Sequence, residues 1–187
     1  MPPKVKITKN EILDAALSLV RQEGSGALNA RALAGVLNCS TQPIFSNYGS
    51  MDEVRADIIR KAEAIYGQYV REDMESGKYP PYKASGMAYI RFAMEERELF
   101  KLLFMRDRSG EPQPGTTGEI DLLIGMIQKN VGISLENARL FHLAMWVHVH
   151  GIATMVATAY LDWDWDLISR MLTDVYEGLK MRYTKEI

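Results

Sequence analysis

The sequence predicts an all-α protein of about nine helices, with a small three-helix head at the N-terminus and a larger helical bundle behind it. Three observations carry that expectation. Apolar residues recur at helical spacing along nearly the whole chain, and strand signals are almost absent. Two Ser/Thr-x-x-Glu segments, Thr8–Glu11 and Ser50–Glu53, have capping-box spacing and open two of the periodic runs. The remaining breaks coincide with Gly, Pro, Asn and Ser clusters.

The first helix is predicted to begin at Thr8, with Ile12, Ala16, Leu19 and Val20 on its inner face. Gly24 and Gly26 stop it, because glycine readily takes the left-handed conformation of a helix end. A short second helix follows, with Asn29 as its N-cap and Leu33, Ala34 and Leu37 facing inward. Asn38-Cys39-Ser40 forms the break. A third short helix is expected from about Thr41 to Tyr48, capped by Ser40, with Cys39 and Ile44 at the two positions of a hydrophobic staple. Pro43 is compatible with its first turn, where the backbone N–H has no helical partner.

Ser50 and Glu53 launch a long fourth helix with Val54, Ile58, Ala62, Ile65 and Tyr69 on one stripe, failing near Ser76-Gly77 and Pro80-Pro81. Helices are then expected at about 83–96, 98–106, 118–131, 135–160 and 164–183, with an exposed loop over 107–118. The domain division expected is residues 1–52 for the head and 53–187 for the body.

Composition is that of an ordinary globular chain: 187 residues, 47% hydrophobic and 25% charged, with a net charge of −2. The single Cys39 cannot form an internal disulfide, which fits a reducing cytoplasm. Residues 1–48 carry Lys4, Lys6, Lys9, Arg21 and Arg31 against Glu11, Asp14 and Glu23, a balance of +2 on an otherwise acidic chain. Leu140 to Leu161 holds no Asp, Glu, Lys or Arg and is long enough to cross a bilayer. It also carries His142, His148 and His150, which are costly in lipid, so a helix buried in protein is the expectation and no membrane is expected.

Two short helices joined by a tight turn and braced by a longer one form a helix-turn-helix unit, whose second short helix fits the major groove of DNA. The polar outward positions of that helix are Thr41, Gln42, Ser46 and Asn47, and Gln or Asn can pair bidentately with adenine. The same pattern also describes an ordinary three-helix corner with a polar surface.

The residues favour the first reading through a resemblance. The run from Thr8 to Leu19, Glu23-Gly24, Arg31-Ala-Leu-Ala and Ser40-Thr-Gln-Pro-Ile-Phe-Ser-Asn-Tyr-Gly-Ser together resemble the N-terminal domain of the tetracycline-repressor (TetR) family over about residues 8–60. The resemblance implies a transcriptional regulator, a homodimer, double-stranded operator DNA as partner, and release from DNA when a small-molecule effector binds the C-terminal domain. It places Asn29 and Arg31 near phosphates, and Thr41, Gln42 and Pro43 near bases; Lys9, Phe45, Asn47 and Tyr48 complete the candidate DNA-binding set. Phe45 stands where the family usually has a tyrosine that touches phosphate, and phenylalanine cannot make that hydrogen bond. Tyr48 stands at a usual phenylalanine position, and Met51 replaces a common lysine. A grip with few charge contacts, supplemented by Lys4, Lys6 and Lys9, is therefore expected.

Farther on, Trp146-Val-His-Val-His150-Gly151 resembles the Trp-x-x-x-His-Gly signature of one branch of TetR-like ligand domains. Trp146 and His150 are four residues apart and share a helix face; they serve either as a pocket wall with one polar group or as plain core. Gly151 is expected to let another helix approach closely. Tyr89, Phe92, Phe100, Phe104, Met105 and Met126 are a second candidate effector wall, or again core.

Catalytic and metal chemistry find no support. His148 and His150 point to nearly opposite sides of a helix. Asp162, Asp164 and Asp166 imitate a calcium loop but lack its glycine and its final glutamate. No enzyme, cofactor or metal is expected. Leu140, Leu143, Val147, Leu167, Met171, Val175 and Leu179 are candidates for a four-helix dimer interface, which would set two reading helices about 34–36 Å apart. Two rivals remain at this point: a regulator controlled by a protein partner, and a helical enzyme or lipid carrier with a vestigial head.

Overall fold

The computed structural model describes residues 7–107, 109 and 118–184. Among them are nine α-helices and no strand. They are α1 (Lys9–Glu23), α2 (Ala30–Val36), α3 (Gln42–Asn47), α4 (Met51–Glu75), α5 (Pro81–Glu95), α6 (Arg97–Phe104), α7 (Gly118–Val131), α8 (Leu135–Ala157) and α9 (Trp165–Thr184). The expected fold class is present. The loop expected over 107–118 lies mostly outside the described residues.

Local chemistry explains most of the boundaries. Thr8 caps α1: its hydroxyl accepts the Glu11 N–H at 3.2 Å, and the Glu11 carboxylate accepts the Thr8 N–H at 2.7 Å. These bonds, that to the Thr8 backbone first, hold the Glu11 carboxyl below its usual range. Gly24, at φ +81°, ends α1, and a single 3-10 turn (Ser25–Ala27) leads to Asn29. The Asn29 side chain accepts from the N–H groups of Arg31 and Ala32 and so caps α2.

The exit from α2 corrects the predicted start of α3. Asn38 adopts φ +49°, and the N–H groups of Asn38 and Cys39 bond back to Gly35 and Ala34, a Schellman ending. That ending uses Asn38 and Cys39, so the N-cap of α3 is Thr41 rather than Ser40, and the Thr41 side chain makes no capping bond. The Cys39–Ile44 staple is lost with the shift. Pro43 still lies in the first turn.

At the start of α4 the box is also altered. Ser50 accepts the Glu53 N–H as expected, but the Glu53 carboxylate accepts from Gly49 N–H. α8 ends in a second Schellman turn at Ala159, at φ +54°.

Packing divides the chain into two compact units. The first comprises residues 7–67 and 96–106 of those described, and the second residues 68–95 and 107 onward. The head expected from sequence, described from residue 7 to 52, lies within the first unit. There Ile12, Leu33, Ile44, Val54 and Ile58 are fully buried. Arg21 pairs with Glu96 at 2.5 Å and so ties α1 to the start of α6. The stripe expected on α4 is buried at Val54, Ile58 and Ala62 and half-buried at Ile65 and Tyr69.

In the second unit, Tyr82, Ile124, Ile127, Ile133, Ala138, Phe141, Met145 and Tyr183 form one apolar cluster. α8 is long and apolar enough to cross a membrane by length and composition, and in this unit it packs with α5, α7 and α9.

The glycine that permits close approach is not the expected one. A Cβ on Gly86 of α5 would lie 3.2 Å from Leu172 Cδ2 and 3.4 Å from Val149 Cγ2, whereas one on Gly151 would meet nothing within 4 Å. Gly86 therefore lets α5 settle against α8 and α9.

Candidate functional site

Two groups of residues carry candidate chemistry, one in each unit.

In the first unit, the outward side of α3 is small and mixed in character. Gln42, Phe45 and Ser46 are exposed, and Thr41 and Pro43 are half-buried, while Ile44 on the opposite side is fully buried and anchors the helix. Phe45 is 48% exposed, a large apolar side chain standing in solvent. The expected adenine reader Asn47 is already engaged: its amide donates to the carbonyls of Pro43 at 2.8 Å and Ile7 at 3.2 Å. Ser46 donates to the Gln42 carbonyl. Gln42 and Asn47 are both exposed, and of the two amide nitrogens only that of Asn47 is held by backbone carbonyls.

Tyr48 is only 2% exposed, and its hydroxyl meets no hydrogen-bond partner among the described residues. Burial pushes its phenol up, with Arg60 pulling the other way. The phenol is therefore a core group in this chain.

The cations of this unit are mostly held by carboxylates. Lys9 pairs with Asp57 at 3.2 Å and lies 4.6 Å over the Tyr48 ring. Arg60 pairs with the same Asp57. Arg55 reaches Asp52 at 2.8 Å and the Leu28 carbonyl at 3.3 Å, and Lys61 reaches Asp14 at 2.5 Å. Arg31 is exposed with no ion pair among the described residues. Asn29 has spent its side chain on capping and on a bond to the Ala27 carbonyl. Lys4 and Lys6 lie outside the described residues.

In the second unit, α5 and α8 bring Tyr89, His150 and Trp146 together. The Tyr89 hydroxyl is 2.8 Å from His150 Nδ1. The Trp146 indole stacks on the His150 ring, with centroids 5.1 Å apart and planes 12° from parallel. Trp146 is 44% exposed, so it is not a packed core residue of this chain. Desolvation lowers the His150 pKa, which favours the neutral imidazole. If the phenol donates to Nδ1, the ring proton sits on Nε2.

Sequence reasoning missed a second pair of the same kind. Tyr82 lies 3.1 Å from His142 Nδ1, one heptad before Tyr89 on α5 and eight residues before His150 on α8. Burial lowers the His142 pKa and raises that of Tyr82. Tyr at i and i+7 on one helix, with His at matching spacing on another, is a usable signal only once the pairing of the two helices is known.

The other effector candidates scatter. Phe92 packs edge-on against Tyr69 at 5.4 Å, and Met126 lies against the Ile124–Phe141 cluster. Phe104 belongs to the first unit, packed on Tyr66 and Phe100. Met105 is the exposed C-cap of α6. Arg91, not singled out from sequence, reaches Asp73 at 2.9 Å and Glu72 at 3.2 Å and lies 4.2 Å over the Tyr69 ring, binding the end of α4 to α5.

α8 and α9 also carry an unpartnered apolar face. Leu140, Leu143 and Val147 are each at least half exposed, and Leu167 is exposed on α9. Met171, Val175 and Leu179 are half-buried. Leu135, Glu136, Arg139 and Leu140 line a shallow depression of about 560 Å³ at the start of α8. No group of three or more metal-capable side chains occurs among the described residues.

Residues 82–176 match the family model described as tetracyclin repressor-like, C-terminal domain. A curated relative, the uncharacterized HTH-type transcriptional regulator YobS of Bacillus subtilis (strain 168), is 18% identical over 172 residues, covering 91% of this chain and 90% of that protein. Among solved structures, a TetR-like transcriptional regulator from Rhodococcus sp. RHA1 superposes with a TM-score of 0.65 at 18% identity, covering 97% of each chain. The multidrug binding protein EbrR, solved in complex with imidazole, superposes with a TM-score of 0.55 at 16% identity, covering 89% of this chain and 88% of that one.

Proposed function

The chain belongs to the tetracycline-repressor-like family of transcriptional regulators, and from that premise we propose that it is a homodimeric, cytoplasmic repressor released from a palindromic operator by a small apolar or amphipathic effector. The observation that carries the DNA half of this reading is the exposed face of α3. A buried Ile44 fixes the helix, and Gln42, Phe45 and Ser46 project from it into solvent. Gln42 is the residue assigned to base reading, with Thr41 and Pro43 beside it, and Arg31 the residue assigned to phosphate.

The dimer is assigned to the exposed apolar side chains of α8 and α9, Leu140, Leu143, Val147 and Leu167, since grouped exposed apolar residues mark interaction surfaces. Pairing it with its two-fold mate makes a four-helix interface. For the effector, Tyr89, His150 and Trp146 supply an aromatic wall with a polar pair at its edge, the usual makeup of a small-molecule site. α4 contributes residues to both units as one helix. A coupling of about 1–3 kcal/mol would lower operator affinity about 5–150-fold.

Selection of bound sequences from random duplex DNA tests this reading. The expected product is a palindrome with half-sites one helical turn apart, bound by a dimer. The absence of any enriched sequence, or an asymmetric site bound by one chain, contradicts it. Operator affinity is then measured with and without compounds that raise the melting temperature of the chain. Equal affinities with every such compound remove the effector half.

A further inference from the structure

We propose that Phe45 is a base-reading residue, which recognises a thymine through its C5-methyl group in the major groove. The proposal rests on the operator-binding reading above and assigns a specificity that the reading leaves open.

Phe45 sits in the middle of α3, three residues after Gln42, so the two side chains share one face of the helix. Both are exposed. Of the other larger side chains on this helix, Ile44 is buried, and the Asn47 amide nitrogen already donates to two carbonyls. Phe45 is therefore the one large apolar side chain that α3 offers to a groove, beside the Gln42 amide. A phenyl ring cannot hydrogen-bond to a phosphate. Of the four bases, only thymine presents an apolar group at its major-groove edge, and contact of phenylalanine with that methyl is an established mode of direct readout. Gln42 in turn suits adenine. Side chains three residues apart on a helix are about 5–6 Å apart, which reaches neighbouring base steps of about 3.4 Å rise.

The charge arrangement of the same unit strengthens the assignment. Lys9, Arg55, Arg60 and Lys61 are all paired with carboxylates, which leaves phosphate contacts scarce. Phosphate contacts position a protein without reading sequence. A head poor in them depends more on contacts made to the bases themselves.

The test uses the full chain and the duplex recovered by selection from random DNA. Each thymine of one half-site is replaced singly by deoxyuracil, which keeps base pairing and removes only the methyl. One position is expected to weaken wild-type binding about fourfold, the factor for withdrawing one methyl from apolar contact. The same replacement should leave Phe45→Ala binding unchanged, and Phe45→Leu should keep part of the sensitivity. Reselection with Phe45→Ala should relax thymine at that position and keep the rest of the site.

Deoxyuracil costs that are equal for wild type and Phe45→Ala at every position overturn the proposal. So does a Phe45→Ala chain of unchanged circular dichroism that binds all selected sequences more weakly by one common factor. Failure of the underlying reading is a different result, in which the wild-type chain enriches no sequence; it overturns both.

Discussion

The Tyr89 hydroxyl and His150 Nδ1 meet at 2.8 Å across α5 and α8, with the Trp146 indole stacked on the imidazole. Tyr89 is buried and His150 half-buried, and burial holds the imidazole toward its neutral form. Tyr82 and His142 repeat the relation two turns away at 3.1 Å. Both bonds join the same two helices and share one electrostatic condition.

That condition makes stability depend on pH. The pKa values of His142 and His150 are lowered by burial, so in the acid range the unfolded chain takes up protons before the folded one. Their contribution to stability is fully present above the ordinary histidine value of about 6.5 and is lost as pH falls below it. The denaturant midpoint is expected to decline between pH 7 and pH 5.5. His142→Gln combined with His150→Gln should flatten that decline. An unchanged slope in the double variant would assign the decline to other groups.

Asp57, itself largely buried, neutralises two exposed cations, Lys9 and Arg60. Asp57→Asn is expected to release both. Binding to DNA of arbitrary sequence should tighten at low salt, and the log–log salt slope should steepen by about one to two units. Arg31→Ala should move the slope the other way by about one unit. Titrations over a range of salt concentrations measure both, and identical slopes for all three chains contradict the assignment.

Gly86 and Gly151 should respond oppositely to a methyl group. Gly86→Ala places Cβ 3.2 Å from Leu172 and 3.4 Å from Val149, and the crowding is expected to cost about 1–3 kcal/mol. Gly151→Ala meets open space within the chain and gains helix propensity, about 0.8–1 kcal/mol. Chemical denaturation of the two variants should therefore bracket the wild type. A destabilised Gly151→Ala that also fails to dimerise would place Gly151 under a partner chain.

Ala159 bears a left-handed backbone at φ +54° to close α8. A side chain there costs about 1–2 kcal/mol relative to a right-handed position, and glycine does not bear that cost. Ala159→Gly is expected to stabilise the chain by about 1 kcal/mol. A loss of stability on substitution would mean that the Schellman turn does not set the end of α8.

Much of this molecule was legible in its sequence because the relevant chemistry is local. The Thr8–Glu11 box, the Asn29 cap and the helical character of each long segment depend on residues within four positions of one another. So does the Trp146–His150 stack, a consequence of helical spacing alone. Resemblance of the head and of the Trp-x-x-x-His-Gly segment pointed to the right family for the same reason: both are compact strings of neighbours.

Tertiary structure decided what those residues are free to do. Tyr89 and His150 are 61 positions apart, and only helix pairing shows that they touch. Asn47 has the right chemistry to read adenine, yet its amide is consumed partly by Ile7, 40 positions away. Lys9 has the charge for a phosphate, but Asp57 of another helix already holds it. Gly86 and Gly151 look alike in sequence, and only the neighbouring helices show which one must lack a side chain. The sequence by itself determined the helices, the caps of α1 and α2, and the chemistry available on each face. Which side chains were buried, paired or exposed was settled by contacts between distant segments, because desolvation and ion pairing act through space.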